Sequence, residues 1–186
     1  MRYVGPQLDD DPGAPADRWA GSPAQPLVLI GLSSTVMRQE ALLQRAADAL
    51  GQAQMRGLVT TGPAVDPAVI SAPRQCHGHR WTRYADVLPH CSAVITHGGH
   101  GTVMKALIAD VPLILAPLGR YQPDNAARGG TCRGGHPIAQ ERTLSALRCA
   151  VGRVTRDPAT APPHGTWRPG LPANATATAP LTSWSR

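Results

Sequence analysis

The sequence contains no phenylalanine, and aromatic residues make up only 4% of its 186 positions. A hydrophobic core must therefore be built from Leu, Val, Ile and Ala, and it can only be modest. Long apolar runs are missing as well. The longest cover residues 26–32 and 111–118, which is far short of the roughly 20 residues that a membrane-spanning helix needs. We therefore expect no membrane partner.

The chain also lacks the cysteine pattern of a secreted or zinc-binding protein. Its four cysteines, Cys76, Cys91, Cys132 and Cys149, form no CxxC pair. The N-terminal residues are acidic, are interrupted by Pro and Gly, and contain no apolar region typical of a secretory signal. These features predict a reduced, cytoplasmic protein.

Lysine is almost absent, since Lys105 is the only one, and the formal net charge of +6 comes from scattered arginines. The arginines form no runs, and aromatic residues do not alternate with them as they do on a nucleic-acid-binding face. We therefore expect no nucleic-acid partner.

Apolar runs alternate with helical periodicity along the middle of the chain. Short apolar stretches predict strands at residues 26–32, 57–61, 93–96 and 113–116. Apolar positions at helical spacing predict helices over residues 39–50, ended by Gly51, and over residues 103–108, closed by Pro112. Strands and helices alternating at this spacing predict an α/β fold, a Rossmann-like, doubly wound parallel sheet with ligands at the carboxyl ends of its strands.

Other stretches fit this pattern less well. Residues 75–79 give a poor strand pattern, and residues 86–91 read as a short helix or turn. Residues 129–137 are too rich in glycine for a helix interior, and a last helix is predicted within residues 140–154.

Composition divides the chain into three parts. Residues 1–25 are rich in Pro, Gly and Asp and are predicted to be a linker, and residues 26–154 form the folded domain. Residues 155–186 have no period of either 2 or 3.6 and are predicted to be a disordered tail.

The chain is organised around a glycine-rich turn between a strand and a helix. Gly98, Gly99 and Gly101 follow the strand at residues 93–96 and open the helix that continues through Met104. The first free N–H groups of that helix and the positive end of its dipole therefore face whatever lies beyond the strand end. This arrangement predicts an anion site.

Two segments carry a resemblance to a known family. THGGHGTVMKAL followed by DVPLILAPLGRYQPDNAAR resembles the donor-binding motif of nucleotide-sugar-dependent glycosyltransferases with the GT-B fold, most closely bacterial enzymes that decorate macrolides and related natural products. The resemblance covers residues 2–128 nearly continuously. It implies a UDP- or TDP-hexose as co-substrate, transfer of the sugar to a small-molecule hydroxyl, and no metal or other cofactor.

The resemblance implies that the chain corresponds to the C-terminal, donor-binding half of the enzymes in this family. The acceptor domain and its catalytic base would then be absent, so no catalytic residue is assigned and the isolated chain is expected to bind donor weakly without transferring sugar. The alternative is a catalytically inert remnant or an interaction module that docks with a separate acceptor domain.

The resemblance also implies roles for individual residues. The diphosphate would be bound by His97, Gly99, Gly101, Thr102, Val103, Ser33 and Ser34. The base would stack on Trp81. The sugar would contact Tyr121, Gln122 and Asn125. Each residue also has a structural interpretation: a plain strand–helix turn, a partly buried surface tryptophan, or a side chain that stabilises its own loop.

Two positions depart from the family pattern. Tyr121 stands where relatives commonly have Asp, so one acceptor for a sugar hydroxyl is missing. Lys105 stands where many relatives have a Glu that accepts from the ribose hydroxyls, which an ammonium group cannot do. These departures predict weakened or altered donor binding.

A metal site is a further alternative, because histidines and cysteines recur in the same region. The candidate ligands are Cys76, His77, His79, His90, Cys91, His97 and His100. The glycines suit phosphate better than metal, and no carboxylate pattern supports a metal site, so we predict none.

Overall fold

The structure is a computed structural model that describes Trp19 and residues 25–131, 135–137 and 143–156. Of the predicted linker it describes Trp19 and Gln25 alone, and of the predicted tail only the first two residues, so both of those predictions lie largely outside the described residues. The described residues from 25 onward fold around a single sheet.

Six parallel strands form that sheet. In chain order they are β1 (Leu27–Gly31), β2 (Arg56–Thr60), β3 (Cys76–His79), β4 (Cys91–Thr96), β5 (Leu113–Leu115) and β6 (Gly135–Pro137). The helices are α1 (Glu40–Gln52), α2 (Tyr84–Val87), α3 (His100–Ile108), α4 (Gln122–Thr131) and α5 (Leu144–Arg156). The strand order β3-β2-β1-β4-β5-β6 confirms the predicted Rossmann-like, doubly wound α/β fold.

The order of the strands reverses between β1 and β4, which places a crevice at their carboxyl ends. The last residue of β1, Gly31, pairs with Thr60 of β2 and with Thr96 of β4. Because these three strands end at the same level, the loops that follow them converge above one edge of the sheet.

Residues on alternate sides of each strand feed two hydrophobic clusters, one on each face of the sheet. Val28 and Ile30 of β1 pack with α1 and α5, whereas Leu27 and Leu29 pack on the other face. The second cluster also contains Trp19. Each fully buried Leu or Ile contributes about 1.5–3 kcal/mol of transfer free energy, so aliphatic side chains supply the core without phenylalanine.

Residues 76–79 form an edge strand despite their poor apolar pattern. Cys76 is buried, but His77, Gly78 and His79 are exposed. The strand exists because its backbone pairs with β2 from Gly57 to Thr60. An edge strand needs no continuous apolar run, which is why periodicity did not predict it.

The region beyond residue 119 corrects two predictions. Helix α4 begins at Gln122, where periodicity predicts no helix, and it extends through Gly129 and Gly130, in the stretch that we predict to be too rich in glycine for a helix interior. These glycines lie in its last turn, where the penalty for Gly is smallest. Residues 135–137 then add β6 to the sheet beside β5.

The end of α1 corrects another prediction. Gly51 was predicted to end the helix but lies within it, two residues before the cap at Ala53. The left-handed residue after the helix is Gln54, with φ of 55°. A Cβ on Gly51 would approach Cγ of Pro73 to 2.7 Å, so tight packing favours glycine there.

Within the described residues no helix has both the length and the apolar character needed to cross a membrane.

Candidate functional site

A cavity of about 430 Å³ opens at the carboxyl ends of the strands. The loops after β1, β2, β3, β4 and β5 all contribute to its wall, together with the first turns of α3. The cavity therefore lies at the place predicted by the strand order. Its volume is within the range typical of small-molecule sites.

The turn between β4 and α3 forms one end of this cavity. Gly98 has φ of 88°, a conformation that other residues rarely adopt, and a Cβ there would lie 3.3 Å from the carbonyl oxygen of Gln122. The side chain of Asn125 donates to the Gly98 carbonyl oxygen over 2.9 Å. Contacts from α4 thus hold the turn in place.

His97 lies in this turn with only 8% of its surface exposed. Its Nδ1 is 3.5 Å from Oγ1 of Thr96, and its Nε2 lies so close to Gly99 that a Cβ on that glycine would be 2.6 Å away. Burial lowers the pKa of His97 below its ordinary value of 6.5. A neutral imidazole is therefore held against the start of α3.

Helix α3 begins with Gly99 as its N-cap residue and leaves its first N–H groups without helical partners. These groups belong to His100, Gly101 and Thr102, which all line the cavity. No atom lies within 4 Å of a Cβ built on Gly101, so the backbone there is open to a ligand. A helix start with unpaired N–H groups favours an anionic ligand over a cationic one.

Val103 differs from its neighbours in the predicted diphosphate site. Its N–H donates to the carbonyl oxygen of Gly99 over 3.0 Å, and its side chain is in the core with 9% exposure. Val103 is not among the residues that line the cavity, so the structure places it behind the site.

Ser33 and Ser34 follow β1 and also line the cavity. Ser33 is buried, and Gln39 holds it by two bonds: the Ser33 N–H donates to Oε1 over 2.9 Å, and Nε2 donates to the Ser33 carbonyl oxygen over 2.6 Å. The Ser33 hydroxyl accepts from the N–H of Thr35 over 3.1 Å. Ser34 is exposed.

Trp81 lies in the loop after β3, with 71% of its surface exposed at the cavity. An exposed indole beside a cavity offers a flat apolar face. The next cavity residue in the chain, Thr82, is buried, and Tyr84 begins α2 and also lines the wall.

The three predicted sugar-binding residues occupy different places. Tyr121 is 55% exposed and lines the cavity. Gln122 lines it too but is 2% exposed, and its Oε1 accepts from the N–H groups of Leu118 over 2.8 Å and Gly119 over 3.1 Å. Asn125 does not line the cavity and instead holds Gly98.

Positive charge is concentrated around this space. Arg80 after β3, Lys105 on α3 and Arg120 after β5 all line the cavity, and none of the described lining residues is acidic. Arg120 also has φ of 58°, and a left-handed backbone at a bulky residue is a feature that clusters at functional sites. The electrostatics of the cavity favour an anionic ligand.

Sequence reasoning missed several of these residues. Arg80 follows the edge strand that periodicity did not predict, and Arg120 was overlooked beside Tyr121. Gln39 was assigned only to the start of a helix, yet it is 1% exposed and fixes the loop after β1. A signal was available for Gln39, since an amide is a poor choice for a core position unless it is hydrogen-bonded.

The alternative metal site gains no support from the geometry. Within the part of the chain that the structure describes, no three His, Cys, Asp or Glu side chains come together as a ligand group. His77 and His79 are exposed on β3, whereas His97 lies in the turn after β4.

Comparisons with known proteins agree with this architecture. The family model described as "UDP-glucoronosyl and UDP-glucosyl transferase" matches residues 20–160. The chain is 33% identical over 167 residues to O-mycaminosyltylonolide 6-deoxyallosyltransferase of Streptomyces fradiae. The matched region covers 82% of this chain and 36% of that relative. It is 28% identical to 4'-demethylrebeccamycin synthase of Lentzea aerocolonigenes, over 85% of this chain and 38% of that protein.

A solved structure is similar to the same region. The calicheamicin glycosyltransferase CalG4 superposes with a TM-score of 0.72 at 27% identity, over 86% of this chain and 40% of that one. The chain thus spans less than half the length of these relatives. From the family model and these relatives together, the chain belongs to the UDP-glucoronosyl and UDP-glucosyl transferase family, and its sheet has the Rossmann-like architecture of a GT-B half-domain.

Proposed function

We propose that this chain is a glycosyltransferase donor domain that binds a nucleoside diphosphate hexose, with UDP or TDP as the nucleotide, in the cavity at the carboxyl ends of the strands. One observation carries the proposal: the open start of α3 faces a cavity whose described lining contains Arg80, Lys105 and Arg120 but no acidic side chain. A diphosphate is the ligand chemistry that this arrangement suits.

The amides of His100, Gly101 and Thr102 would donate to the phosphate oxygens, and the neutral His97 would donate from Nε2. During transfer an acceptor hydroxyl attacks the anomeric carbon, the bond from that carbon to the diphosphate oxygen breaks, and negative charge grows on the leaving diphosphate. Fixed donors that are already oriented toward this charge stabilise the transition state without a metal.

The nucleotide base and the transferred hexose would extend from opposite ends of the diphosphate. Trp81 would stack on the base, because its indole is largely exposed at the cavity. Tyr121 is the most accessible of the proposed sugar contacts, whereas the Gln122 amide already accepts two backbone N–H groups. Asn125 would act on the diphosphate indirectly, through Gly98.

The 186-residue chain would bind donor without transferring sugar. Transfer requires a base that removes the acceptor's proton, and no carboxylate lines the described part of the cavity. Trp81 and Tyr121 line the cavity and are 71% and 55% exposed, and Val36, in the loop after β1, is 77% exposed. This exposed apolar surface favours the second candidate, docking with a separate acceptor domain.

Calorimetric titration of the purified chain with UDP, TDP and their glucose conjugates tests donor binding. Saturable binding that is weakened about tenfold or more in His97→Ala, and retained in the control His77→Ala, would support the proposal. His77 is a suitable control because it is exposed on β3 and does not line the cavity. A folded chain that binds none of these compounds would contradict it.

Coexpression with acceptor domains of related transferases tests the second candidate. Turnover that appears only when both chains are present would support docking, and sugar transfer by the purified chain alone would overturn the statement that it does not transfer sugar.

A further inference from the structure

We infer that Trp19 is a positioning residue for the cavity, because its ring supports the end of β3, from which Arg80 and Trp81 continue into the cavity wall. The inference rests on the proposed function, since Trp81 is the proposed contact for the nucleotide base. It gives a role in ligand binding to a residue within the stretch 1–25, which composition predicts to be a linker.

Trp19 is fixed against the sheet through both its ring and its backbone. Only 7% of its surface is exposed, and it belongs to the second hydrophobic cluster together with Leu27 of β1 and Leu58 of β2. Its carbonyl oxygen accepts from Nη2 of Arg56, the first residue of β2, over 3.1 Å. A linker alone does not require a buried indole, so the burial of Trp19 calls for another explanation.

The indole of Trp19 meets the imidazole of His79 edge to face. The two ring centres are 5.6 Å apart, and the ring planes are at 86° to each other, which is an arrangement that aromatic pairs prefer. His79 is the last residue of β3, and β3 lies beside β2 at an edge of the described sheet. The Trp19 ring therefore supports the end of an edge strand.

Backbone hydrogen bonds connect His79 to the loop that follows it. The His79 carbonyl oxygen accepts from the N–H of Thr61 over 3.0 Å, and the Arg80 carbonyl oxygen accepts from the N–H of Gly62 over 3.0 Å. Arg80 and Trp81 line the cavity, whereas His79 does not. His79 can therefore act on the cavity only through the residues that come after it.

These backbone bonds hold the end of β3 along one side, because an edge strand has no strand on its other side. Rotation of the strand about the paired side is opposed by side-chain contacts, and the pair of Trp19 and His79 is such a contact. Trp81 is two residues after His79, so rotation at His79 would move the Trp81 indole relative to the start of α3. We therefore expect loss of the pair to disturb the base contact more than the phosphate contact.

Two substitutions of Trp19 separate positioning from core packing. Trp19→Leu keeps an apolar side chain in the cluster but removes the ring, whereas Trp19→Phe keeps a ring that can meet His79 edge to face. Calorimetric titration with uridine diphosphate and with inorganic pyrophosphate measures the effect. Trp19→Leu should weaken uridine diphosphate binding about threefold to tenfold and pyrophosphate binding by less than about twofold, and Trp19→Phe should restore most of the loss.

His79→Ala tests the same contact without changing the core. His79 is exposed, so this variant should fold, and it should show the same selective loss for uridine diphosphate. The double variant with Trp19→Leu should lose no more than either single variant, because both substitutions remove one interaction. His77→Ala is the matched control, since His77 is also exposed on β3, on the same side of the strand, and should leave both affinities unchanged.

Circular dichroism and thermal unfolding establish that each variant is folded before its affinities are compared. A residue that only stabilises the core would lower the unfolding temperature and leave the ratio of the two affinities as it is in the wild-type chain. That unchanged ratio, or wild-type affinity for uridine diphosphate in the folded His79→Ala variant, overturns the inference. Additive losses in the double variant would also contradict it.

Failure of the proposed function gives a different result. The folded wild-type chain would then bind neither uridine diphosphate nor pyrophosphate, and the inference about Trp19 would fail with it.

Discussion

The Nδ2 atom of Asn125 donates to the carbonyl oxygen of Gly98 over 2.9 Å, and this bond ties α4 to the turn before α3. The two residues are 27 positions apart in the chain. Gly98 is in a left-handed conformation, so the bond holds a turn that few backbones adopt. The geometry at the start of α3 therefore depends on a residue that does not line the cavity.

Removing this bond should loosen the turn. Asn125→Ala loses one half-buried hydrogen bond and should cost about 0.5–1.5 kcal/mol of unfolding free energy. It should also weaken the binding of uridine diphosphate, since the amides at the start of α3 would be less well oriented. Asp124→Asn, at an exposed neighbour, is the control for calorimetry and thermal unfolding. Equal affinities in the two variants would show that the bond does not order the site.

Gly101→Ala separates folding from ligand binding. Its Cβ meets no protein atom, and Ala is the better helix former, so the variant should be more stable by up to about 1 kcal/mol. The same methyl group would occupy space beside the helix start and should weaken diphosphate binding. Gly152→Ala in α5, also in open space, is the matched control and should raise stability alone. Unchanged affinity in Gly101→Ala would mean that the phosphates bind elsewhere.

Trp81 should contribute to nucleotide binding through its base contact. Trp81→Ala should cost about 1–3 kcal/mol in the binding of uridine diphosphate, the range measured for stacking of a base on an aromatic ring. The binding of inorganic pyrophosphate should change little, because pyrophosphate has no base. Calorimetry on both ligands gives the comparison. An equal loss for both would point to a structural role for the indole.

His97 should make the unliganded fold sensitive to acid. Burial lowers its pKa in the folded state below the ordinary value of 6.5, so below that pH the unfolded chain binds a proton that the folded chain does not. The contribution of His97 to the free energy of unfolding should therefore be fully present above pH 6.5. It should be lost progressively as the pH is lowered toward the pKa of His97 in the folded state. Thermal midpoints between pH 8 and pH 5 measure the slope, which His97→Gln should flatten. An identical slope in that variant would assign the acid sensitivity to other groups.

The described cysteines should differ in their reactivity. Burial raises the pKa of the Cys76 thiol to about 11 and that of Cys91 to about 12, whereas Cys149 is exposed on α5. Since the thiolate is the reactive form, iodoacetamide at neutral pH should label Cys149 well before the other two. Peptide mass spectrometry on the folded chain measures the order. Rapid labelling of Cys76 or Cys91 would indicate that the fold opens locally.

The central strands and the glycine turn could be predicted from sequence because their signals are local. Val28 and Ile30 lie in a continuous apolar run, as expected of a strand buried on both faces. Gly98, Gly99 and Gly101 follow a strand and precede a helical period, which is sufficient to predict an anion site at a helix start.

The edge of the sheet and α4 were less predictable, because their signals are not local. The exposed His77 and His79 belong to a strand only through pairing with β2. Helix α4 has few apolar residues, and the buried Ala126 is one of the contacts that hold it against the sheet. Tertiary contacts override weak local propensities in both places.

By itself the sequence determined the fold class, the position of the glycine-rich turn and the candidate residues around it, because periodicity and glycine placement act over a few neighbouring residues. Only the tertiary structure decided what those residues do. In the fold, the side chains of Gln122 and Asn125 hydrogen-bond backbone groups, and Val103 is buried in the core. Arg80, Lys105 and Arg120 come together at one cavity. The physical reason is that burial, hydrogen-bond satisfaction and electrostatic potential are set by atoms distant in the chain, whose positions are fixed only when the sheet assembles.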